Sequence, residues 1–178
     1  MIPGKRVDLV AVSPKYLDAY RKWINDPEAT DMLGNVRFPM SRVREKEWVD
    51  GQTAGTSKSR NFTILTKKGL PIGNVGFNVL NWQNRSGVLG IMIGEKDYWN
   101  KGYGSEAIGM VLEFGFQTLG LHRILLYVDS KNDRAVACYK KCGFVIEGTK
   151  RKHEFYRGEY VEDLVMGILK EEWEKRRG

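Results

Sequence analysis

Apolar residues in this chain recur first at every second position and then at every third or fourth, and the alternation between these two periods divides it into elements. Lys5 to Val12 alternates, with Val7, Leu9 and Ala11 on one side, which predicts an opening strand. From Ser13-Pro14 the spacing lengthens, and Leu17, Tyr20, Trp23 and Ile24 follow one helical face until Asn25-Asp26-Pro27 stops the run. Serine suits the N-cap and proline the first helical position. Glu28 to Met40 is irregular, Ser41 caps a second helix carrying Val43, Trp48 and Val49, and the small, polar stretch Gly51 to Ser59 reads as a loop. Asn61 to Thr66 alternates again, Lys67-Lys68-Gly69 predicts a hairpin turn, and Leu70 to Leu80 is the returning strand. Gly73 and Gly76 weaken it and point to a bulge or a close neighbour.

Beyond a turn near Asn84-Arg85, Val88 to Ile93 predicts a strand. Ala107 to Leu119 predicts a helix whose face of Ile108, Val111, Leu112, Gly115, Phe116 and Leu119 belongs in a core. Ile124 to Val128 is apolar nearly throughout, the pattern of a strand buried on both faces. Asn132 to Cys142 reads as a helix, Phe144 to Glu147 as a strand, and Tyr160 to Leu169 as a last strand turned through Arg157-Gly158. The charged tail Lys170 to Gly178 reads as a frayed helix end. Strands in meander followed by alternating strands and helices predict an α+β domain with a mixed sheet. At 178 residues a single domain over 1–178 suffices.

Between the strand ending at Ile93 and the helix from Ala107 lies Trp99-Asn100-Lys101-Gly102-Tyr103-Gly104-Ser105-Glu106-Ala107. Glycine accepts the positive φ that other residues resist. Backbone N–H groups freed of Cβ can converge where a helix N-terminus adds partial positive charge, which makes an anion site. A tight turn that binds nothing is the plain alternative. A nucleotide P-loop is excluded, since no Gly-Lys-Ser/Thr follows. Gly102, Gly104 and Ala107 also satisfy the dinucleotide pattern, with Asp129 as a ribose-binding acid. Against it, Glu95 to Lys101 separate the glycines from their strand. A cradle for the pyrophosphate of coenzyme A remains.

Charge fits an anionic partner without choosing one: 29 Lys and Arg face 22 Asp and Glu, a net +7. No apolar run approaches the roughly 20 residues that span a bilayer, and the start MIPGKRVD lacks the apolar stretch of a signal peptide. The expectation is a cytoplasmic protein without membrane contact. Cys138 and Cys142, one helical turn apart, make a poor metal site without further ligands and read as half-buried thiols. No metal is expected. His122 and His153 stand alone in sequence and read as structural or surface residues.

Two ordered signatures carry a family resemblance. The glycine loop is similar to the Gln/Arg-x-x-Gly-x-Gly/Ala loop of the GNAT acetyltransferases, with Trp99 standing in place of Gln/Arg. Asn132-Asp133-Arg134-Ala135-Val136-Ala137-Cys138-Tyr139, with Gly143-Phe144 beyond, resembles their N-x-x-A-x-x-x-Y-x-x-x-G-F. Gly120 to Ile124 and the hairpin Glu154 to Tyr160 resemble the ribosomal-protein N-terminal acetyltransferases and the spermidine acetyltransferases in particular. The resemblance implies a mixed, mostly antiparallel sheet flanked by helices and acetyl-CoA as co-substrate. It implies that the strand residues Ile91, Met92 and Ile93 hold the pantetheine arm and the acetyl carbonyl. Trp99, Asn100, Lys101, Gly102, Tyr103, Gly104 and Ser105 would cradle the pyrophosphate, with Asn132 and Tyr139 also on the cofactor. Tyr139 is the implied general acid. It lies seven residues, two helical turns, after Asn132, so both face one side of their helix. Asn132 is equally an N-cap.

The general base is less legible. Tyr127 occupies the place where some N-terminal acetyltransferases carry glutamate, leaving a water chain, Glu154 or Glu159. Spermidine enzymes carry clustered acids before the second helix, whereas here Gly34-Asn35-Val36-Arg37-Phe38-Pro39 is basic. A protein N-terminal α-amine, such as that of a ribosomal protein, is therefore the first expectation for the acceptor. A small-molecule amine (a polyamine or amino-sugar) is the alternative. A catalytically idle GNAT-like binding module is a third reading, and a dinucleotide-binding domain a more distant one. Expected partners are acetyl-CoA, the amine and a second copy of the chain as a homodimer, without direct nucleic-acid binding.

Overall fold

A computed structural model describes residues 1–31, 33, 38–54 and 58–177. Eight strands form one sheet: β1 (Ile2–Pro3), β2 (Val7–Ala11), β3 (Arg60–Thr66), β4 (Pro71–Asn81), β5 (Ser86–Ile93), β6 (Arg123–Asp129), β7 (Val145–Tyr156) and β8 (Glu159–Leu169). Their spatial order is β1-β2-β3-β4-β5-β6-β8-β7, and every neighbouring pair is antiparallel except β5 and β6. A parallel pair needs a crossover, supplied by α4 (Tyr103–Glu113). The other helices are α1 (Leu17–Ile24), α2 (Pro27–Thr30), α3 (Arg42–Thr53), α5 (Asp133–Cys142) and α6 (Lys170–Lys175). No helix among the described residues is long and apolar enough to cross a membrane.

The alternating strands and the α4 stripe bury each other as their periods require. Val7, Leu9, Ile64, Ile72, Val75 and Phe77 pack with Ile108, Val111, Leu112 and Phe116. Val12, Leu17, Tyr20, Trp23 and Val49 form a second, smaller core under α1 and α3. In β4, a side chain at Gly73 would run into the Met92 carbonyl of β5, so the glycine there answers to a close neighbour.

Several boundaries differ from the sequence reading, each for a physical reason. The stretch from Gly51 is not loop from its start: α3 continues to Thr53, where the Thr53 hydroxyl donates to the Asp50 carbonyl at 2.9 Å. The long helix begins at Tyr103 and ends as a π turn, Phe114–Thr118, with Leu119 N–H donating to the Phe114 carbonyl at 3.0 Å. β6 is not covered on both faces; burial alternates along it and Tyr127 is exposed. β7 extends far past Glu147, although its residues read as polar, because it is an edge strand with β8 on one side only. The tail is no frayed end. Trp173 of α6 is buried with its ring 5.3 Å from that of Phe116, and Glu172 accepts from Leu169 N–H at 2.8 Å.

Candidate active site

The site starts where the sheet stops being continuous. β5 and β6 pair only at Ser86↔Arg123, Gly87↔Ile124 and Val88↔Leu125, after which the strands run on to Ile93 and Asp129 without ladder bonds between them. The resulting wedge opens into a cavity of about 1090 Å³ lined by strand, loop and helix residues.

On one side the walls are mostly backbone. Gly102 takes φ +80° at the N-cap of α4. The first i→i−4 bond of the helix is from Glu106 to Gly102, at 3.1 Å, which leaves the amides of Tyr103, Gly104 and Ser105 without a carbonyl one turn back. A Cβ built on Gly104 would meet only Ile93 and Ile91, at 3.7 and 3.8 Å, both ordinary contacts. The fold itself therefore tolerates a side chain there, and what glycine preserves is room in the cavity. Those leftover amides at a helix N-terminus, in an uncrowded loop, fit a pyrophosphate.

Ile91, Met92, Ile93, Trp99, Asn100, Gly102, Gly104, Ser105, Asn132 and Tyr139 all line this one cavity. Lys101 and Tyr103 do not. The Lys101 carbonyl accepts from Arg6 Nη1 at 2.7 Å, and the Tyr103 ring packs edge-on to Tyr98 with the Arg6 guanidinium 4.6 Å from its centroid. Trp99, the departure from the family loop, anchors the loop differently: its indole N–H donates to the Ile93 carbonyl at 2.7 Å. The Arg134 guanidinium lies over its ring at 4.1 Å, so a cation sits beside the loop. Arg134 went unnoticed in the sequence reading although it stands inside the second signature.

Asn132 caps α5, its side chain accepting from Ala135 N–H at 3.1 Å, and still faces the cavity. Tyr139 is 9% exposed, and its ring lies 6.0 Å from that of Phe144. Burial drives its hydroxyl pKa upward, followed by the nearby Cys138 and Cys142, so it stays a protonated donor. The thiols are half-buried, as expected. The Ser105 hydroxyl is 3.2 Å from Cys138 Sγ, and the Cys142 thiol reaches the Ser105 carbonyl at 3.8 Å, joining α5 to α4. A hydrogen bond from Cys142, then Ser105 and the charges of Lys141 and Arg134, hold the Cys138 thiol below its ordinary range despite burial.

The opposite walls are side chains from distant elements. Tyr20 of α1 packs 5.6 Å from Trp48 of α3 and 5.8 Å from Trp23, and its hydroxyl is hydrogen-bonded to Thr63. On the same wall stands Glu45, 7% exposed, its carboxylate without a hydrogen-bond or ionic partner among the described residues. Burial raises its pKa. Glu28, also on the wall, is paired with Lys96 at 2.8 Å. Glu45 shares a helix face with Trp48 and Val49, three and four residues on, and an acid on an apolar face was the available sequence signal.

One further expectation changes. Glu159 is at the hairpin tip, ion-paired to Lys131 at 3.2 Å and away from the cavity, so it is no base. His153 is exposed, as its surface reading expects, and the addition is that it lines the cavity together with Glu154 and Asp163, one polar atom of each lying within 4.8 Å of the others. The basic stretch before α3 falls mainly on residues 34–37, outside the described residues.

Known proteins share this fold. Residues 6–145 match the family model of the acetyltransferase (GNAT) domain. The chain is 32% identical over 138 residues to a spermidine N(1)-acetyltransferase of Vibrio cholerae, covering 78% of this chain and 79% of that one. It is 26% identical to the uncharacterized N-acetyltransferase p20 of Bacillus licheniformis over 171 residues, 95% of this chain and 96% of the other. A crystal structure of the Vibrio cholerae spermidine N-acetyltransferase with CoA and spermine superposes with a TM-score of 0.86 at 26% identity, covering 94% of this chain and 98% of that one. With the family match spanning most of the chain, and its two signatures meeting at one wedge in the sheet, this protein belongs to the GNAT acetyltransferases, which move an acetyl group from acetyl-CoA to an amine.

Proposed function

We propose that the acceptor is a small-molecule amine with more than one positive charge, a polyamine or short diamine, rather than the protein N-terminus that the sequence ranks first. The observation that carries this is Glu45. A carboxylate on a largely buried residue that opens onto the cavity with no partner among the described residues is costly to keep charged, and an ammonium between it and the faces of Tyr20 and Trp48 would relieve that through ion pairing and cation–π attraction. Alkyl segments of the acceptor would lie on the same rings. The names of the Vibrio cholerae relatives point the same way.

In this reading Ile91, Met92 and Ile93 hold the thioester in the wedge through their backbone. The amides after Gly102 and the cation of Arg134 face the pyrophosphate, and Asn132 contacts the cofactor from its cap. Tyr139, kept protonated by burial, donates to the departing sulfur. Holding thioester and amine in line would supply several kcal/mol of the barrier reduction.

Thiol release from acetyl-CoA tests the assignment with spermidine, putrescine, butylamine and peptides bearing a free N-terminus. Spermidine should exceed butylamine in kcat/KM by roughly tenfold or more. Glu45→Gln should erase that preference by raising the KM for spermidine, with the KM for acetyl-CoA unchanged. A peptide outperforming every polyamine would return the acceptor to a protein N-terminus.

A further inference from the structure

The register of the last hairpin slips in an informative place. Lys150 pairs with Asp163, yet the next pair is Glu154 with Val161, so β7 spends four residues where β8 spends two. Lys152 takes φ +50° within that excursion. Neighbouring strand residues ordinarily point to opposite faces. Here the bulge instead brings His153 and Glu154 together beside Asp163 on the cavity wall. Bulges commonly re-aim side chains next to active sites.

The contacts give the imidazole a direction. His153 Nδ1 is 3.4 Å from Asp163 Oδ2, and Asp163 is buried. His153 Nε2 is 3.5 Å from Lys150 Nζ, and the same ammonium stands 3.5 Å from the centroid of the Tyr127 ring. An ammonium can only donate, so Nε2 is the acceptor in that contact, and the Nδ1 edge of the ring faces the Asp163 carboxylate. The charged and titratable groups around the ring are Lys150 and Glu154 of β7, Asp163 of β8, and Tyr127 and Asp129 of β6, all on the same cavity. The Tyr127 ring serves as the shelf for Lys150.

We propose that His153 is the general base of acetyl transfer, a catalytic residue oriented by Asp163 as a positioning residue; this rests on the amine-acetylating reading above. The ammonium to be acetylated, distinct from the one held at Glu45, docks where Lys150 now donates and passes one proton to Nε2, giving the neutral amine and an imidazolium faced by the Asp163 carboxylate. The amine nitrogen lone pair forms the N–C bond to the acetyl carbon. Collapse breaks the C–S bond, its electron pair leaving on sulfur. Sulfur takes a proton from Tyr139, which is reprotonated by the second proton of the acylated nitrogen. His153 returns its proton to solvent, so one ammonium and one thioester yield one amide, one thiol and one released proton.

The pH dependence of kcat/KM for the native chain, His153→Gln and Asp163→Asn tests this, using the amine from the panel above that the native chain acetylates fastest. The native profile should show an acidic limb as the base is protonated. His153→Gln should lower kcat/KM at pH 7 by roughly a hundredfold, within the usual range for acid–base catalysis. It should also lose that limb, its rate climbing with pH as free amine forms in solution, with acetyl-CoA affinity unchanged. Asp163→Asn should lower kcat by a smaller factor and keep a limb. A His153→Gln variant with the native limb and rate overturns the proposal while leaving acetyl transfer intact. Activity lost to a chelator and restored by zinc would overturn it too, making the cluster a metal site. A native chain that acetylates no amine fails the underlying reading instead.

Discussion

The two sides of the cavity are built from different materials. On the proposed donor side the candidate binding groups are main-chain amides between Ile91 and Ser105, spaced by one strand, one loop and the first turn of α4. On the proposed acceptor side they are side chains: Tyr20 and Trp23 from α1, Glu45 and Trp48 from α3, and His153 and Asp163 from the last hairpin. A backbone site changes only when a Cβ intrudes or the chain moves. A side-chain site can be altered one residue at a time on an unchanged sheet. The same donor site can therefore serve many acceptors, and acceptor identity has to be read from residues far apart in the chain.

The largest expected effect lies where the two sides meet. Tyr139→Phe keeps the ring on Phe144 and removes only the hydroxyl, so kcat should fall roughly ten- to a thousandfold with acetyl-CoA affinity nearly unchanged. Full activity in the folded variant would make Tyr139 a packing residue and leave the thiolate to water. Next in size, Gly104→Asp puts a carboxylate into the donor side, and calorimetry should show acetyl-CoA binding weakened by roughly tenfold or more, about 1.4 kcal/mol. Unchanged binding would disprove the backbone-cradle assignment. Neither change should alter the ranking of acceptors.

The smallest effect sharpens the acceptor side through stability. Burial raises the Glu45 pKa in the folded chain above its unfolded value. The folded state then holds this proton more tightly, so its contribution is fully present below the unfolded value, near about 4.3. It is lost as pH rises through the raised folded value. Glu45→Gln, neutral throughout, should raise Tm by a few degrees at pH 8 and leave it unaltered near pH 3. Equal Tm values at both pH values would mean that Glu45 is paired or solvated after all.

The contrast also explains what could be read in advance. That the glycine loop, Asn132 and Tyr139 meet on one cavity was legible because the determinants are local: two glycines before an apolar helix, and Asn132 and Tyr139 two turns apart. Even so, Lys101 and Tyr103 turned outward to Arg6, since a loop signature does not say which of its side chains face the ligand. The meander and the crossover helix followed from period alone. β7 did not, because an edge strand facing solvent lacks the apolar alternation that marks a strand, and its bulge displaces the pattern further. His153 was unreadable for the same reason: only the register slip sets it beside Asp163. Glu45 carried a signal, an acid on an apolar helix face, and its meaning depends on Tyr20, twenty-five residues earlier in the sequence.

The short parallel ladder between β5 and β6 has a mechanical meaning. The sheet is two leaves, β1 to β5 and β6 with β8 and β7, joined along the sheet by three residue pairs. Beyond these pairs each leaf presents an internal edge whose amides and carbonyls lack ladder bonds across the wedge and must find water or another hydrogen-bonding partner. An extended molecule with amide groups of its own, laid between the leaves, would act as a short missing strand and clasp them together. Amide hydrogen exchange along Leu89–Ile93 and Leu126–Asp129 would then register cofactor loading as a stiffening of the whole sheet rather than as a local contact.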